Sequence, residues 1–97
     1  MYDIDFTYEA LQDLMVFRKF EQQIILSSIN DQLVYEPTVE TRNRFRMRPN
    51  EIAEWELRID NYRVFYNVAN AVQIVNIEVI GFKRGNQLFV RGKRRDL

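Results

Sequence analysis

The sequence predicts an α+β fold, a two-helix hairpin packed on an antiparallel sheet of about four strands, from three observations. Apolar residues recur at helical spacing between Thr7 and Leu33, and alternating apolar residues follow from Trp55 to Ile80. Asp60-Asn61, a pair of turn formers, divides the second region into the arms of a hairpin. The chain of 97 residues has room for one core, so residues 1–97 are read as a single domain.

Tyr2 to Phe6 alternates as a short strand, with Tyr2, Ile4 and Phe6 on one face. Thr7 suits the N-cap of a helix whose apolar stripe is Ala10, Leu11, Leu14, Met15 and Phe17. A second helix runs from about Glu21 to Tyr35, with Ile25, Leu26, Ile29 and Leu33 on one side, and Pro37 forbids its continuation. In the connection from Pro37 to Asn50, Arg42, Arg44, Arg46 and Arg48 fall at every second position. If extended, that segment points the four arginines one way and Asn43, Phe45 and Met47 the other. A solvated basic loop and a binding strip fit it equally.

Three strands are expected next, about Trp55–Ile59, Tyr62–Val68 and Val72–Ile80. With Asp60-Asn61 as the loop, Ile59 faces Tyr62, Arg58 faces Arg63 and Leu57 faces Val64. Placing Val64, Tyr66 and Val68 on the core side with Val75, Ile77 and Val79 sets Arg63 opposite Glu78 and Phe65 opposite Asn76. The other face then carries Glu56, Arg58, Arg63, Phe65, Asn76 and Glu78. Leu88 to Arg91 is expected to add an edge strand before the basic run Lys93-Arg94-Arg95.

Composition narrows the chemistry. Hydrophobic residues at 46% and charged residues at 29% are those of an ordinary globular domain. The absence of cysteine excludes disulfides and thiolate metal sites, and the absence of histidine removes the commonest general base and zinc ligand. Glu51, Glu54 and Glu56 lie close together in sequence, but their arginine-rich surroundings disfavour a divalent cation, and three glycines build no phosphate loop. No metal or cofactor is therefore expected. The start lacks the basic and apolar regions of a signal peptide and no apolar run approaches transmembrane length, so a cytoplasmic protein with no membrane partner is expected.

The net charge of zero conceals an asymmetry. Residues 1–40 carry eight acids and two bases, whereas residues 41–97 carry twelve bases and six acids. Eleven of the fourteen bases are arginine, the side chain suited to bidentate phosphate contacts. Such a split suggests a polyanion for the basic half.

Arg58 facing Arg63 is the sharpest functional feature, because like charges directly opposed in a sheet are destabilising. A chain that holds a phosphate has a reason to keep them. The candidate set is Arg58 and Arg63 as phosphate clamps, Glu56 as the base, and Arg46 with Lys83 or Arg84 as transition-state or leaving-group stabilisers. Arg46, Arg48 and Arg91 would meet the RNA backbone, and Phe65 or Phe89 would stack on a splayed base. The competing reading is a salt-bridge network in which Glu56–Arg58 and Arg63–Glu78 neutralise one another.

The order of elements, with Tyr-Arg-Val-Phe-Tyr at 62–66 and Gly-Phe-Lys-Arg at 81–84, resembles the RelE/ParE superfamily of small toxins from bacterial toxin–antitoxin pairs. The resemblance covers nearly the whole chain and is strongest from Arg44 to Arg91. It implies metal-independent attack by a 2′-hydroxyl on messenger RNA in the ribosomal decoding site. In the RNA-cleaving branch, Arg63 matches the arginine that grips the scissile phosphate. Lys83 or Arg84 matches the basic residue after the glycine, and Arg46 matches the loop arginine. The best-studied branch has two lysines where this chain has Glu54 and Glu56, and a tyrosine where it has Phe89, whereas other branches use a glutamate base and differ in the late residues. The implied partners are a cognate antitoxin, the ribosome and messenger RNA. The alternatives are a gyrase inhibitor of the ParE branch and a catalytically decayed homologue acting only with its antitoxin.

Overall fold

The computed structural model describes residues 1–96. They form β1 (Asp3–Phe6), α1 (Tyr8–Met15), α2 (Lys19–Leu33), β2 (Arg44–Arg46), β3 (Trp55–Ile59), β4 (Tyr62–Ala69), β5 (Ile74–Arg84), β6 (Gln87–Val90) and β7 (Lys93–Arg95). Thr7 caps α1 as expected, its Oγ1 accepting the Ala10 N–H at 3.0 Å. Within α1, Ala10 and Leu14 are buried, but Leu11 and Met15 face solvent and Asp13 takes a buried place instead. Helix α2 buries Ile25, Ile29 and Leu33, while Leu26 is exposed. Among the described residues, no helix is long and apolar enough to cross a membrane.

The strands make one seven-stranded sheet, ordered β2-β3-β4-β5-β6-β7, with β1 paired to β5. The sheet is larger than the four strands expected, and the β1–β5 pair is parallel rather than antiparallel. Strand β1 runs beside Ile74–Ile77 and β6 beside Phe82–Arg84. Between those stretches, helix-side groups satisfy the backbone of β5. Thr7 Oγ1 donates to the Glu78 carbonyl at 3.1 Å, and Asp13 Oδ2 accepts the Ile80 N–H at 3.0 Å.

The β3–β4 hairpin has the predicted register, with Arg58 opposite Arg63 and Leu57 opposite Val64, and Asp60 in its turn at φ 52°. The β4–β5 register does not follow the prediction: Arg63 stands opposite Gly81, not Glu78, and Phe65 opposite Val79, not Asn76. The shift falls between Phe65 and Tyr66, whose partners are Val79 and Ile77, so Glu78 is the extra residue of a β-bulge. The bulge reverses the alternation of β5. Val75, Ile77 and Ile80 join the core under the helices, while Val79 turns to the opposite face.

That opposite face is partly covered. Phe65, Val79, Leu88, Val90 and Ala53 form a second small core, with Met47 and Ile52 packed on it from the β2–β3 loop. Asn50 ties the loop: its Oδ1 accepts the N–H groups of Ile52 and Ala53, and its Nδ2 donates to the carbonyls of Arg48 and Ala53.

Candidate functional site

Trp55, Leu57 and Ile59 fill the core, so the alternation of β3 sends Glu56 and Arg58 to the other face. Glu56 is only 3% exposed there. Its Oε2 accepts from Arg58 Nε at 3.0 Å and lies 3.5 Å from Arg63 Nε. This carboxylate offsets the repulsion between the opposed arginines. Glu78, the expected partner of Arg63, instead accepts from Asn67 Nδ2 at 3.3 Å.

The two arginines differ in freedom. Arg63 has a side chain 12% exposed, and its Nη1 donates to the carbonyls of Asp60 and Tyr62 at 2.8 and 2.9 Å. Its buried Nε makes no hydrogen bond, so the contact with Glu56 is an ion pair too poorly aligned to be one. Burial lowers the Arg63 pKa from its ordinary value; Glu56 opposes that shift and Arg58 adds to it. Arg63 therefore braces the turn. The Arg58 side chain is 46% exposed, and its Cζ lies 4.7 Å from the centroid of the Phe45 ring.

A groove of about 600 Å³ opens over these residues, lined by Phe45, Arg48, Pro49, Glu56, Arg58 and Lys83 among others. Lys83 pairs with Leu88 and so shares the face of the second core, whereas the neighbouring Arg84 alternates to the opposite face and is exposed. Between the two, Lys83 is the residue beside the groove. Arg95 pairs with Leu88 from the other side and extends the same basic row. Among the described residues, no group of three His, Cys, Asp or Glu side chains is placed to hold a metal ion.

Several expected site residues lie elsewhere. Phe65 is 0% exposed in the second core and cannot receive a base. Phe89 pairs with Phe82 and stacks on it at 5.6 Å, on the helix side of the sheet. Arg91 is held by α1, its Nε 2.9 Å from Asp13 Oδ1 and its Nη2 3.8 Å from Glu9 Oε2. Glu56, by contrast, stays at the groove; both guanidinium contacts fall on its Oε2, so it anchors Arg58 and Arg63 while lining the open face.

The alternating arginines of the connection do not form a binding strip. Arg44 is 6% exposed, and its guanidinium donates to the Gln32 and Val39 carbonyls at 2.6 and 2.7 Å. Arg46 borders the groove, but its guanidinium lies over Trp55 at 5.9 Å and pairs with Glu54 at 3.2 Å. Phe45 was not among the expected site residues. Its signal was there in the alternation, which sets it opposite the flanking arginines, yet only the pairing with Glu56 shows that it meets Arg58.

A second cavity of about 520 Å³ lies on the helix side, between α2 and the hairpin turn. It is lined by Phe17, Glu21, Asp60, Tyr62 and Phe82 among others, with no basic side chain, and so is unsuited to a polyanion. Burial and the hydrogen bond to Glu21 push the Tyr62 hydroxyl up to about 12.

No family model and no curated protein matches the sequence. Solved structures do. The chain is similar to one from the toxin–antitoxin complex RelBE2 of Mycobacterium tuberculosis, with a TM-score of 0.72 and 21% identity over 84% of this chain and 98% of that one. It is similar also to one from the archaeal RelE–RelB complex of Pyrococcus horikoshii, with a TM-score of 0.67 and 21% identity over 87% of this chain and 96% of that one. Two helices on a largely antiparallel sheet, with the arginine-bearing hairpin within it, give this chain the RelE-like fold.

Proposed function

We propose that this chain is the toxin of a toxin–antitoxin pair and a metal-independent endoribonuclease that cuts messenger RNA in the ribosomal decoding site. The observation that carries this reading is the groove in which Arg58, fixed by buried Glu56, shares one open face with Arg48 and Lys83. Its presence on a RelE-like fold, in a chain similar to members of two toxin–antitoxin complexes, supports a cognate antitoxin as the partner.

An RNA strand in the groove has its backbone met by Arg48 and Lys83. The 2′-oxygen attacks the adjacent phosphorus, and the bond from phosphorus to the 5′ oxygen breaks. A 2′,3′-cyclic phosphate and a 5′-hydroxyl result. The 2′-hydroxyl proton passes to solvent, and Lys83 donates one to the departing oxygen. With Glu56 tied through its Oε2 to Arg58 and Arg63, the chain contributes chiefly fixed positive charge, the electrostatic term that dominates many enzymes. Glu56 is a positioning residue in this scheme, and Arg63 braces the hairpin that presents it.

The burial of Glu56 favours a second reading, a decayed homologue that grips RNA or its antitoxin without cutting. Induced expression of the wild type, with mapping of cellular RNA ends, separates the readings. Growth arrest with newly cut messages is the expected result. Unimpaired growth rejects a toxin, and filamentous cells with DNA-damage signalling and intact messages indicate gyrase inhibition.

A further inference from the structure

We infer that the groove takes a nucleobase, stacked on the outward face of the Arg58 guanidinium while Phe45 backs the inward face. This rests on the RNA reading above and assigns Arg58 to the base rather than to the phosphate. Phe45 pairs with Glu56 across β2 and β3, which puts its ring on the same face as Arg58. The ring supports the guanidinium at 4.7 Å, and Glu56 holds its Nε at 3.0 Å. A long, rotamer-rich side chain is thereby fixed as a plane. Nearly half of it remains exposed, over a groove of about 600 Å³.

Arginine planes and aromatic rings are the surfaces on which unpaired bases stack. Phe65 is enclosed and Phe89 lies on the helix side, so neither competes for that role. Arg58 commits its Nε to Glu56, which fixes the plane, and the stacking surface that plane offers is what assigns the base to it. Lys83 and Arg48 line the same groove and supply the backbone contacts that a stacked nucleotide needs. The slot is thus built for a single-stranded nucleotide, with base and phosphate held by different residues.

The test uses the full chain and an RNA trinucleotide, intact or abasic at its central position, with affinity read by NMR titration. The wild type should bind the intact trinucleotide about tenfold more tightly than the abasic one, as a single stacked base is worth. Arg58→Lys keeps the charge and loses the plane, so it should bind both equally. Phe45→Leu should narrow the difference, and Lys83→Gln should weaken both while preserving their ratio. Equal affinities for the wild type, or a full base preference in Arg58→Lys, would overturn the slot. Message cutting on ribosomes is read separately. Cutting without base preference keeps the nuclease and removes the slot; base preference without cutting keeps the slot and removes the nuclease.

Discussion

Asp13 of α1 accepts the Ile80 N–H of β5 at 3.0 Å, while its other carboxylate oxygen lies 2.9 Å from Arg91 Nε. One buried acid thus joins the first helix, the central strand and the turn after β6. Asp13→Ala leaves the Ile80 N–H unpaired and should cost about 1–3 kcal/mol of stability. Urea unfolding of the variant beside the wild type checks this.

The same acid predicts a pH dependence of unusual sign. Burial raises the Asp13 pKa above its ordinary 3.8, against the Ile80 hydrogen bond and the charges of Arg91 and Arg95, while Glu9 adds to the rise. The folded chain therefore keeps this proton to higher pH than the unfolded chain does. Stability from this group is present below 3.8, falls as pH rises to the raised folded value, and is level beyond it. Across that window, the urea midpoint of the wild type should fall relative to Asp13→Asn. A relative rise would contradict the assignment.

Arg44 closes the end of α2 by donating to the Gln32 carbonyl at 2.6 Å and the Val39 carbonyl at 2.7 Å. Arg44→Ala removes charge-assisted bonds from a buried site and should cost about 2–3 kcal/mol. Arg44→Lys should restore only part, since an ammonium cannot span both carbonyls with the geometry of the fork. Thermal and urea unfolding of both variants give the comparison.

Gly81 stands opposite Arg63 where β5 and β6 approach closely, and a Cβ there would meet the Phe89 carbonyl oxygen at 2.5 Å. Because the obstructing atom is backbone, Gly81→Ala should destabilise the chain by about 1–3 kcal/mol through a shift of β6. A variant as stable as the wild type would show that the strands have room to move.

Phe65 and Phe45 should separate packing from binding. Phe65→Ala opens a cavity in the second core and should cost about 3–5 kcal/mol of stability. Phe65→Leu should leave the preference for an intact over an abasic trinucleotide unchanged, unlike Phe45→Leu. The same RNA titrations decide it.

The hairpin was legible in the sequence because a strong local signal, the Asp60-Asn61 turn, fixes its register and with it the facing of Arg58 and Arg63. Thr7 was legible for the same reason, as a cap acting over one helical turn. The β4–β5 register was not, because one bulged residue at Glu78 changes which side chains share a face. Adjacent apolar Val79 and Ile80, each buried on a different side, are the trace it leaves. The partial cover of the other face was not legible, because Met47, Ile52 and Ala53 sit in a loop whose return over the sheet no local pattern specifies. The fate of Arg44 and Arg63 depended on backbone carbonyls brought near by the fold, which spacing alone cannot reveal.

Cleavage of ribosome-bound message by purified wild type and by Lys83→Ala tests the nuclease assignment most directly. Cuts should appear with the wild type, and Lys83→Ala, lacking the proposed proton donor, should cut on the order of 10²-fold more slowly. A message left whole by a folded wild type, or cut equally well by both proteins, would contradict the role assigned to this groove.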